Sequence, residues 1–197
     1  MFRKTIYPLF LVPVLALAMP AQADEVRVGL MAQDIKISGI GGVKGKEEGI
    51  ALTLEYVADS PEFLEWALKP KPYAGGTINL SGDTSYGGAG MLWRTSENGK
   101  FYGELAFGLV IHDGELELPS PGDATTPEQA LEFDRLNREN IEFGSRALFR
   151  TQFAAGFRLS DDWSAELVYE HLSHGKILSN GSNEGLDSVG VRIGKRF

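Results

Sequence analysis

Hydrophobic and polar residues alternate along several segments of the chain. In the segment 48–57, Ile50, Leu52 and Leu54 lie on one side, with Thr53 on the other. An alternation with a period of two residues indicates β-strands that have one apolar and one polar face. The pattern predicts eight strands, at about 26–33, 48–57, 73–81, 85–95, 100–111, 146–158, 163–173 and 187–197.

The apolar faces of these strands can form a protein core or face lipid, and this choice decides the class of protein. In a soluble sandwich two sheets share an apolar core, whereas an outer-membrane barrel turns its apolar face to lipid. An even number of strands of about ten residues favours the barrel. Aromatic residues near strand ends are typical of its girdles, and here they are Tyr73, Trp93, Phe101, Tyr102, Trp163 and Phe197. We therefore expect an all-β fold, an eight-stranded antiparallel transmembrane β-barrel of the bacterial outer membrane, with a soluble periplasmic sandwich as the alternative.

Charged residues occupy the polar side of several predicted strands. The clearest examples are Arg150, Glu166, Glu170, Arg192 and Arg196. The interior of an eight-stranded barrel is filled by side chains, and buried charges need partners. We therefore expect these residues to form ion pairs with one another inside the barrel.

The N-terminal residues 1–23 have the pattern of a secretory signal peptide. A basic start (MFRK) precedes an apolar run and the small-residue pattern AQA, which predicts cleavage between Ala23 and Asp24. The mature chain, residues 24–197, would then be a single β-barrel domain. Its net charge falls from -8 to -10 when Arg3 and Lys4 are removed. So acidic a chain is not expected to bind nucleic acid, which requires a basic surface.

The connections between the strands form two sets if the chain starts on the periplasmic side. The periplasmic set is 58–72, 96–99 and 159–162, and the extracellular set is 34–47, 82–84, 112–145 and 174–186. Long outer loops and short inner turns are typical of outer-membrane barrels. In 58–72, a start near Ser60-Pro61 and a stop before Pro70 predict a short helix. For the segment 125–144 two interpretations are open, a helix in or over the barrel mouth and a mobile surface loop.

Two of the three histidines lie beside a serine, in the segment YEHLSHG (169–175). His171 and Ser173 are two residues apart and therefore point to the same side of a strand. Histidine and serine form the base–nucleophile pair of serine hydrolases, in which a carboxylate orients the imidazole. Asp187 has the parity to meet His171 if the last two strands pair antiparallel. A slip of one residue would turn Asp187 to the lumen instead.

These three residues have the parity of the apolar, outward faces of their strands. A polar cluster on a lipid-facing surface costs free energy unless it has a function or lies among the head groups. A serine hydrolase in this position would act on a lipid ester. The motif H-x-S is by itself a weak signal, and a polar strand end leaving the membrane is the alternative interpretation.

Residues 169–197, YEHLSHGKILSNGSNEGLDSVGVRIGKRF, resemble the C-terminal hairpin of the lipid A 3-O-deacylases of the PagL type. The family pattern is H-x-S-N on the seventh strand, followed by a loop that ends N-x-G-hydrophobic-acid. Earlier segments, LKPKPYAGGTINLSGDTSYGGAGMLW and FGLVIHDGEL, are also similar to the family. The resemblance implies an eight-stranded outer-membrane barrel that hydrolyses an ester-linked acyl chain of lipid A. It assigns the nucleophile to Ser173, the general base and acid to His171, and the carboxylate that orients His171 to Asp187.

The sequence departs from the family pattern at two positions. The acid is Asp187, which is shorter than the Glu of better-known members. His174 stands where Asn often follows the serine, and it is either a candidate oxyanion donor or an exposed loop residue. Asn183 and the backbone N–H groups around Gly175 are the other candidates for the oxyanion hole.

The expected function is that of a carboxylic ester hydrolase that removes a 3-O acyl chain from lipid A of lipopolysaccharide. Serine chemistry of this kind implies no metal and no cofactor. The expected partners are the lipopolysaccharide substrate and membrane lipids, and the sequence leaves open whether the chain forms a homodimer. The alternative is a non-catalytic outer-membrane barrel, an adhesin or structural protein, in which HLSHG is a polar rim.

Other polar residues carry weaker signals. His112 and Asp113 lack the spacing of metal ligands, so we expect a strand-end pair. The segment GIGGVKGKEEG (39–49) lacks the strand–turn–helix context of a phosphate loop and predicts a flexible outer loop. The lysines that could meet lipid A phosphates are interpreted as solvated loop residues; they are Lys44, Lys46 and Lys176.

Overall fold

The computed structural model describes residues 25–35 and 45–197, which form one closed sheet of eight antiparallel strands. Each strand pairs with its neighbour in sequence, and the eighth pairs with the first. The strands are β1 (Glu25–Gln33), β2 (Gly49–Val57), β3 (Lys71–Asn79), β4 (Tyr86–Arg94), β5 (Phe101–His112), β6 (Ala147–Arg158), β7 (Trp163–Ser173) and β8 (Leu186–Arg196). The eight-stranded barrel predicted from the alternation is confirmed, and the two-sheet sandwich is wrong.

The connections lie at the two ends of the barrel. We refer to the end where β7 finishes and β8 begins as the upper end, and to the other as the lower end. One α-helix, α1 (Pro127–Glu139), and two 3₁₀ helices, Glu62–Ala67 and Pro121–Asp123, lie in these connections. None of the helices in the described ranges is long and apolar enough to cross a membrane. The predicted signal peptide and Lys44 lie outside the described residues.

The predicted strand limits agree with the observed ones to within two residues, and β3 differs most. This strand ends at Asn79, because the Asn79 Oδ1 accepts the backbone N–H groups of Ser81 at 2.7 Å and Asp83 at 3.3 Å and so turns the chain. At its other end β3 already includes Pro72, whose carbonyl accepts the Ala58 N–H at 2.9 Å. Proline is tolerated near the start of a strand, where its missing N–H disturbs the ladder least.

Large apolar side chains cover most of the outside of the barrel. Examples are Leu30, Leu54, Leu105, Leu167 and Val191, all of which are exposed. A continuous apolar surface of this size is stable only in contact with lipid. The outside therefore has the character expected of a membrane-spanning barrel.

Charged side chains fill the inside of the barrel as a network of ion pairs. Its members within the described chain are Arg27, Arg94, Arg150, Arg192, Glu25, Glu55, Glu104, Glu166 and Glu170. Arg192 pairs with Glu55 at 2.5 Å and also with Glu166, so the predicted pairing inside the barrel is confirmed. Arg196, the last residue of β8, does not join this network. It lies at the open lower rim, 3.6 Å from Glu97.

Four of the six predicted girdle aromatics face outward, and two do not. The outward ones are Trp93, Phe101, Trp163 and Phe197. Tyr73 and Tyr102 are buried inside the barrel. Tyr102 follows Phe101 directly and must therefore face the opposite side of the sheet. Its hydroxyl donates to Glu166 at 2.7 Å, which makes Tyr102 part of the charged interior.

An apolar cluster closes the upper end of the barrel. It combines residues of five strands with two residues that follow α1, and consists of Tyr86, Val110, Ile141, Phe143, Leu148, Leu172 and Leu186. Phe143 is completely buried. Leu172 and Leu186 are the inward-facing neighbours of His171 and Asp187, so this cap supports the predicted site from inside the barrel.

Helix α1 occupies part of the predicted 125–144 segment. Thr126 caps it by accepting the Gln129 N–H at 3.2 Å, and Pro127 occupies the first turn. The helix interpretation is therefore correct over Pro127–Glu139, but the chain becomes extended at Asn140. No residue of α1 is buried, so the segment after the helix, rather than the helix itself, fills the barrel mouth.

Candidate active site

β7 and β8 pair in the register that places the three predicted site residues on one surface. His171 lies directly opposite Asp187 in the ladder. Leu167 and Val191, which share the parity of these residues, are exposed on the outside of the barrel. His171, Ser173 and Asp187 therefore lie on the outward side, at the upper end of the two strands.

A single carboxylate oxygen organises this surface. Asp187 Oδ1 lies 2.8 Å from His171 Nδ1 and accepts a hydrogen bond from the Tyr169 hydroxyl at 2.6 Å. Because a carboxylate only accepts, Nδ1 carries the hydrogen, and in the neutral imidazole Nε2 is the nitrogen with the lone pair. This is the tautomer that a general base requires. The side chain of Asp187 is 1% exposed and that of His171 is 32% exposed, so the acid is shielded while the base is accessible.

Tyr169 is a candidate site residue that the sequence analysis missed. Alternation classifies it only as an aromatic residue on the outward face. The available signal was its position two residues before His171, on the same side of β7. Its ring stacks on Phe153, with 6.4 Å between the ring centroids, and this packing helps to direct the hydroxyl towards Asp187.

Ser173 is the last residue of β7 and shares the side of His171. Among the hydrogen bonds of residues 25–35 and 45–197, none joins the Ser173 hydroxyl to His171. The structure thus brings together His171 and Asp187 but does not form the contact between His171 and Ser173. Two residues along a strand span about 6.5 Å, and catalytic hydrogen bonds are often long until substrate binds.

Gly185 stands beside His171 and Ser173. A Cβ atom at this position would lie 3.3 Å from His171 Cε1 and 3.9 Å from Ser173 Cβ. Its φ of +72° also lies in the left-handed region that favours glycine. Gly185 therefore keeps space free at the edge of the imidazole, between the base and the serine.

His174 is buried within the 174–185 loop. Its Nε2–H donates to the Ser182 carbonyl at 2.7 Å, and its Nδ1 accepts the Lys176 N–H at 3.1 Å. The interpretation of His174 as an exposed loop residue is wrong, because the loop folds around its ring. Both ring nitrogens are engaged, so neither is free to donate to an oxyanion in this arrangement.

Asn183 contacts the residue that follows the serine. Its Oδ1 accepts the backbone N–H of His174 at 3.0 Å, which leaves Nδ2 as a side-chain donor. Gly175 is exposed and has a φ of +60°. The Asn183 amide and the Gly175 N–H therefore remain the oxyanion candidates that have donors to offer.

Ion pairs and hydrogen bonds tie the site loop to other upper connections. Glu184 accepts from Lys46 Nζ at 2.7 Å and from the Glu142 N–H at 2.9 Å. Lys46 is therefore paired rather than solvated as predicted, while Lys176 is exposed as expected.

A second carboxylate, that of Glu47, links two further connections. It accepts the N–H groups of Thr84 at 3.1 Å and Ile141 at 2.9 Å. Burial raises the pKa of the Glu47 carboxyl above its usual value. These contacts hold the segment that fills the barrel mouth against the loops around the site.

His112, at the end of β5, packs against the apolar cluster, and Asp113 follows it. The His112 Nε2 lies 2.7 Å from the Ser145 carbonyl, and its ring packs on Phe143 with 4.4 Å between centroids. Asp113 accepts the Ser85 N–H at 2.7 Å. Within the described residues, no group of three or more histidine, aspartate or glutamate side chains could hold a metal ion.

The fold and the surface at β7–β8 define a small membrane β-barrel that carries a serine, a histidine and a carboxylate on its outward side. The sequence model of the lipid A 3-O-deacylase (PagL) family matches residues 63–196. Because this match covers more than half of the chain, including His171, Ser173 and Asp187, the chain belongs to that family. The members of this family are lipid A deacylases, which are hydrolases. No curated protein matches the sequence.

Solved structures of outer-membrane barrels have the same fold. The outer membrane enzyme PagL is 14% identical, with 88% of this chain and 99% of that chain covered and a TM-score of 0.54. Neisserial surface protein A is 10% identical, with 90% and 100% covered and a TM-score of 0.55. The N-terminal β-barrel domain of Pseudomonas aeruginosa OprF is 8% identical, with 89% and 97% covered and a TM-score of 0.52. The shared fold agrees with the outer-membrane location expected from the sequence.

Proposed function

We propose that the chain removes a 3-O acyl chain from lipid A of lipopolysaccharide, with Ser173, His171 and Asp187 as a catalytic triad that faces the outer leaflet. The observation that carries the proposal is the hydrogen bond between His171 and Asp187 on the outward surface, beside Ser173. Membership of the lipid A 3-O-deacylase family supports the choice of substrate.

The reaction would proceed in two halves. Ser173 Oγ attacks the ester carbonyl carbon while His171 Nε2 takes the hydroxyl proton, and Asp187 stabilises the resulting imidazolium. The bond between the carbonyl carbon and the 3-oxygen of lipid A then breaks, and His171 returns the proton to that oxygen. In the second half His171 takes a proton from water, the hydroxide attacks the acyl-serine, and a free fatty acid leaves as Ser173 regains its proton.

The negative charge on the tetrahedral intermediate needs hydrogen-bond donors. We assign this role to the Asn183 Nδ2 and the Gly175 N–H. The hydrogen bond from the His174 N–H to the Asn183 Oδ1 supports the assignment, because it fixes the amide next to Ser173.

The outward position supplies a route for the substrate. Phe149 lies directly opposite Ser173 in the β6–β7 ladder and stacks on Phe107, with 5.7 Å between centroids. Acyl chains could stay against this apolar surface while the ester bond reaches the serine at the upper end. The substrate would then need no entry into the charged lumen.

Mass spectrometry of lipid A tests the proposal. Purified protein in detergent is incubated with lipid A that carries a 3-O hydroxyacyl chain. The wild-type chain should release that one chain as a fatty acid, and Ser173→Ala should release none. Heat-modifiable gel mobility verifies that both are folded barrels. No mass change with the folded wild-type chain would contradict the proposal and favour the non-catalytic barrel.

All three proposed catalytic residues lie on two adjacent strands of one chain. The chemistry therefore requires no second subunit, although a homodimer stays open. Native mass spectrometry in detergent would distinguish the monomer from the dimer.

A further inference from the structure

The Glu62–Ala67 helix at the lower end exposes an unusually apolar surface. The exposed fractions are 74% for Phe63 and 84% for both Trp66 and Leu68. No other large apolar residue in the described ranges is more exposed than Trp66 and Leu68. A turn in contact with water alone has no reason to present such a group of side chains.

The helix has three distinct sides, because residues three positions apart overlap in a 3₁₀ helix. The sides are formed by Phe63 with Trp66, by Glu62 with Glu65, and by Leu64 with Ala67. The third pair is half-buried, whereas the first two pairs are exposed. The helix is therefore amphipathic, with an apolar side and an acidic side that both point away from the barrel.

The helix is attached to the lipid side of the barrel wall. The indole Nε1–H of Trp93 donates to the Ala67 carbonyl at 2.9 Å. Trp93 is an outward residue of β4, since its neighbours Leu92 and Arg94 point into the lumen. The helix thus lies beside the outer surface at the lower rim, rather than below the lumen.

Next to this helix, the outward residues at the lower end of β3 and β4 are Pro72, Met91 and Trp93. Further up these two strands, the paired outward positions Ala74–Ala89 and Gly76–Gly87 are small. Elsewhere at the lower end the outward aromatics Phe101, Trp163 and Phe197 line the rim. Beside Trp93, the side chains of Phe63 and Trp66 add to this aromatic rim below the small outward residues of β3 and β4.

We propose that Phe63, Trp66 and Leu68 form a membrane anchor that inserts into the phospholipid leaflet at the lower end of the barrel. Tryptophan and phenylalanine prefer the boundary between head groups and acyl chains. A short amphipathic helix can lie in that plane with its charged side in water. The anchor is independent of the proposed catalysis and would fix the depth of the barrel in the membrane.

The absence of cysteine from the chain allows a matched test. Single cysteines at Trp66 and Glu62 (Trp66→Cys and Glu62→Cys) are spin-labelled in the full chain, which is reconstituted in phosphatidylcholine–phosphatidylethanolamine vesicles. The two labels lie on one helix, about 120° apart. The label at 66 should collide more with oxygen and less with an aqueous nickel chelate than the label at 62.

Two results would overturn the proposal. One is equal access of the nickel chelate to both labels in barrels whose gel mobility shows that they are folded. The other is spin–spin broadening at 66, which would place a second copy of the chain there. As a check without a label, brominated phospholipids should quench the part of the tryptophan fluorescence that Trp66→Phe removes. Unquenched emission from Trp66 would also contradict the anchor.

Discussion

At the scale of single residues, the outward cluster depends on the position of Asp187, whose side chain is short. The direct pairing of His171 with Asp187 across the ladder lets an aspartate reach Nδ1 without the extra methylene of a glutamate. Tyr169 shares the accepting oxygen and thereby limits the rotation of the carboxylate. The Asp187 side chain is almost fully shielded from solvent, so little water competes for these hydrogen bonds.

The substitution Tyr169→Phe removes the hydrogen bond to Asp187 and should lower kcat by roughly tenfold with little change in KM. A hydrogen bond to a charged group contributes about 1.5 kcal/mol. Steady-state kinetics with a soluble ester or with lipid A in detergent would measure this. Tyr102→Phe is the matched control, since it removes a hydroxyl–carboxylate bond inside the barrel, away from the site. Wild-type kcat in Tyr169→Phe would exclude a positioning role.

Gly185→Ala should reduce both stability and activity. The φ of +72° disfavours alanine by about 1 kcal/mol, and the new Cβ would press on His171. Gly82→Ala serves as the control, because Gly82 has a φ of +89° and open space around its Cβ position. Equal loss of activity in the two variants, compared by initial rates, would contradict a specific role for Gly185.

At the scale of elements, the loop between β7 and β8 is ordered by its own interior. The His174 ring forms hydrogen bonds with the Ser182 carbonyl and the Lys176 N–H, and the His174 N–H donates to the Asn183 side chain. Glu184, a residue of this loop, ties it to two other upper connections by contacting the 45–48 and 140–146 segments. The proposed oxyanion donors therefore depend on the folding of three upper connections.

His174→Ala should loosen this loop and lower kcat, since two partners of the ring would lose hydrogen bonds of about 1 kcal/mol each. Limited proteolysis should cut the variant faster between residues 174 and 185, while the barrel core stays protected. Lys176→Ala is the control, because its side chain is exposed and its backbone N–H is retained. An intact loop and unchanged kcat in His174→Ala would refute the role of the ring.

At the scale of the whole molecule, the barrel separates two environments. The outside is apolar and carries the candidate site, whereas the inside holds arginines and glutamates that neutralise one another. A buried ion pair is costly to break, because the remaining partner stays charged in a medium of low polarity. The stability of the barrel and the chemistry on its surface therefore depend on different sets of residues.

Arg192→Met should destabilise the barrel by about 3–5 kcal/mol, because Glu55 and Glu166 would lose a shared partner. Urea unfolding in lipid vesicles, followed by gel mobility, would measure the change. Arg135→Met on the exposed surface of α1 should leave stability close to that of the wild-type chain, because its ion pairs are exposed to solvent. Equal midpoints for the two variants would contradict the importance of the interior network.

Much of this architecture could be predicted from sequence because it is local. Alternation located all eight strands, and parity placed His171 and Asp187 on the same side. The contacts of Lys46 with Glu184, and the entry of Phe143 into the barrel mouth, were not predicted. They depend on the paths of long loops, which no periodic pattern encodes.

The family resemblance points to the same candidate residues that strand parity selects. His171, Ser173 and Asp187 fit its pattern, and the observed register agrees with it. At His174, where the chain departs from the pattern, no sequence signal indicated that the ring would be buried in the loop. The position of such a ring is decided by the fold of the loop as a whole.

The most direct test of the central claim is to identify the nucleophile with a long-chain alkyl fluorophosphonate. The folded wild-type chain should gain one phosphonyl adduct, with loss of fluoride, and peptide mass spectrometry should locate it at Ser173. Deacylation of lipid A should fall in proportion to labelling, and His171→Ala should label far more slowly. Loss of activity with the adduct at another residue, or full activity in Ser173→Ala, would contradict the account.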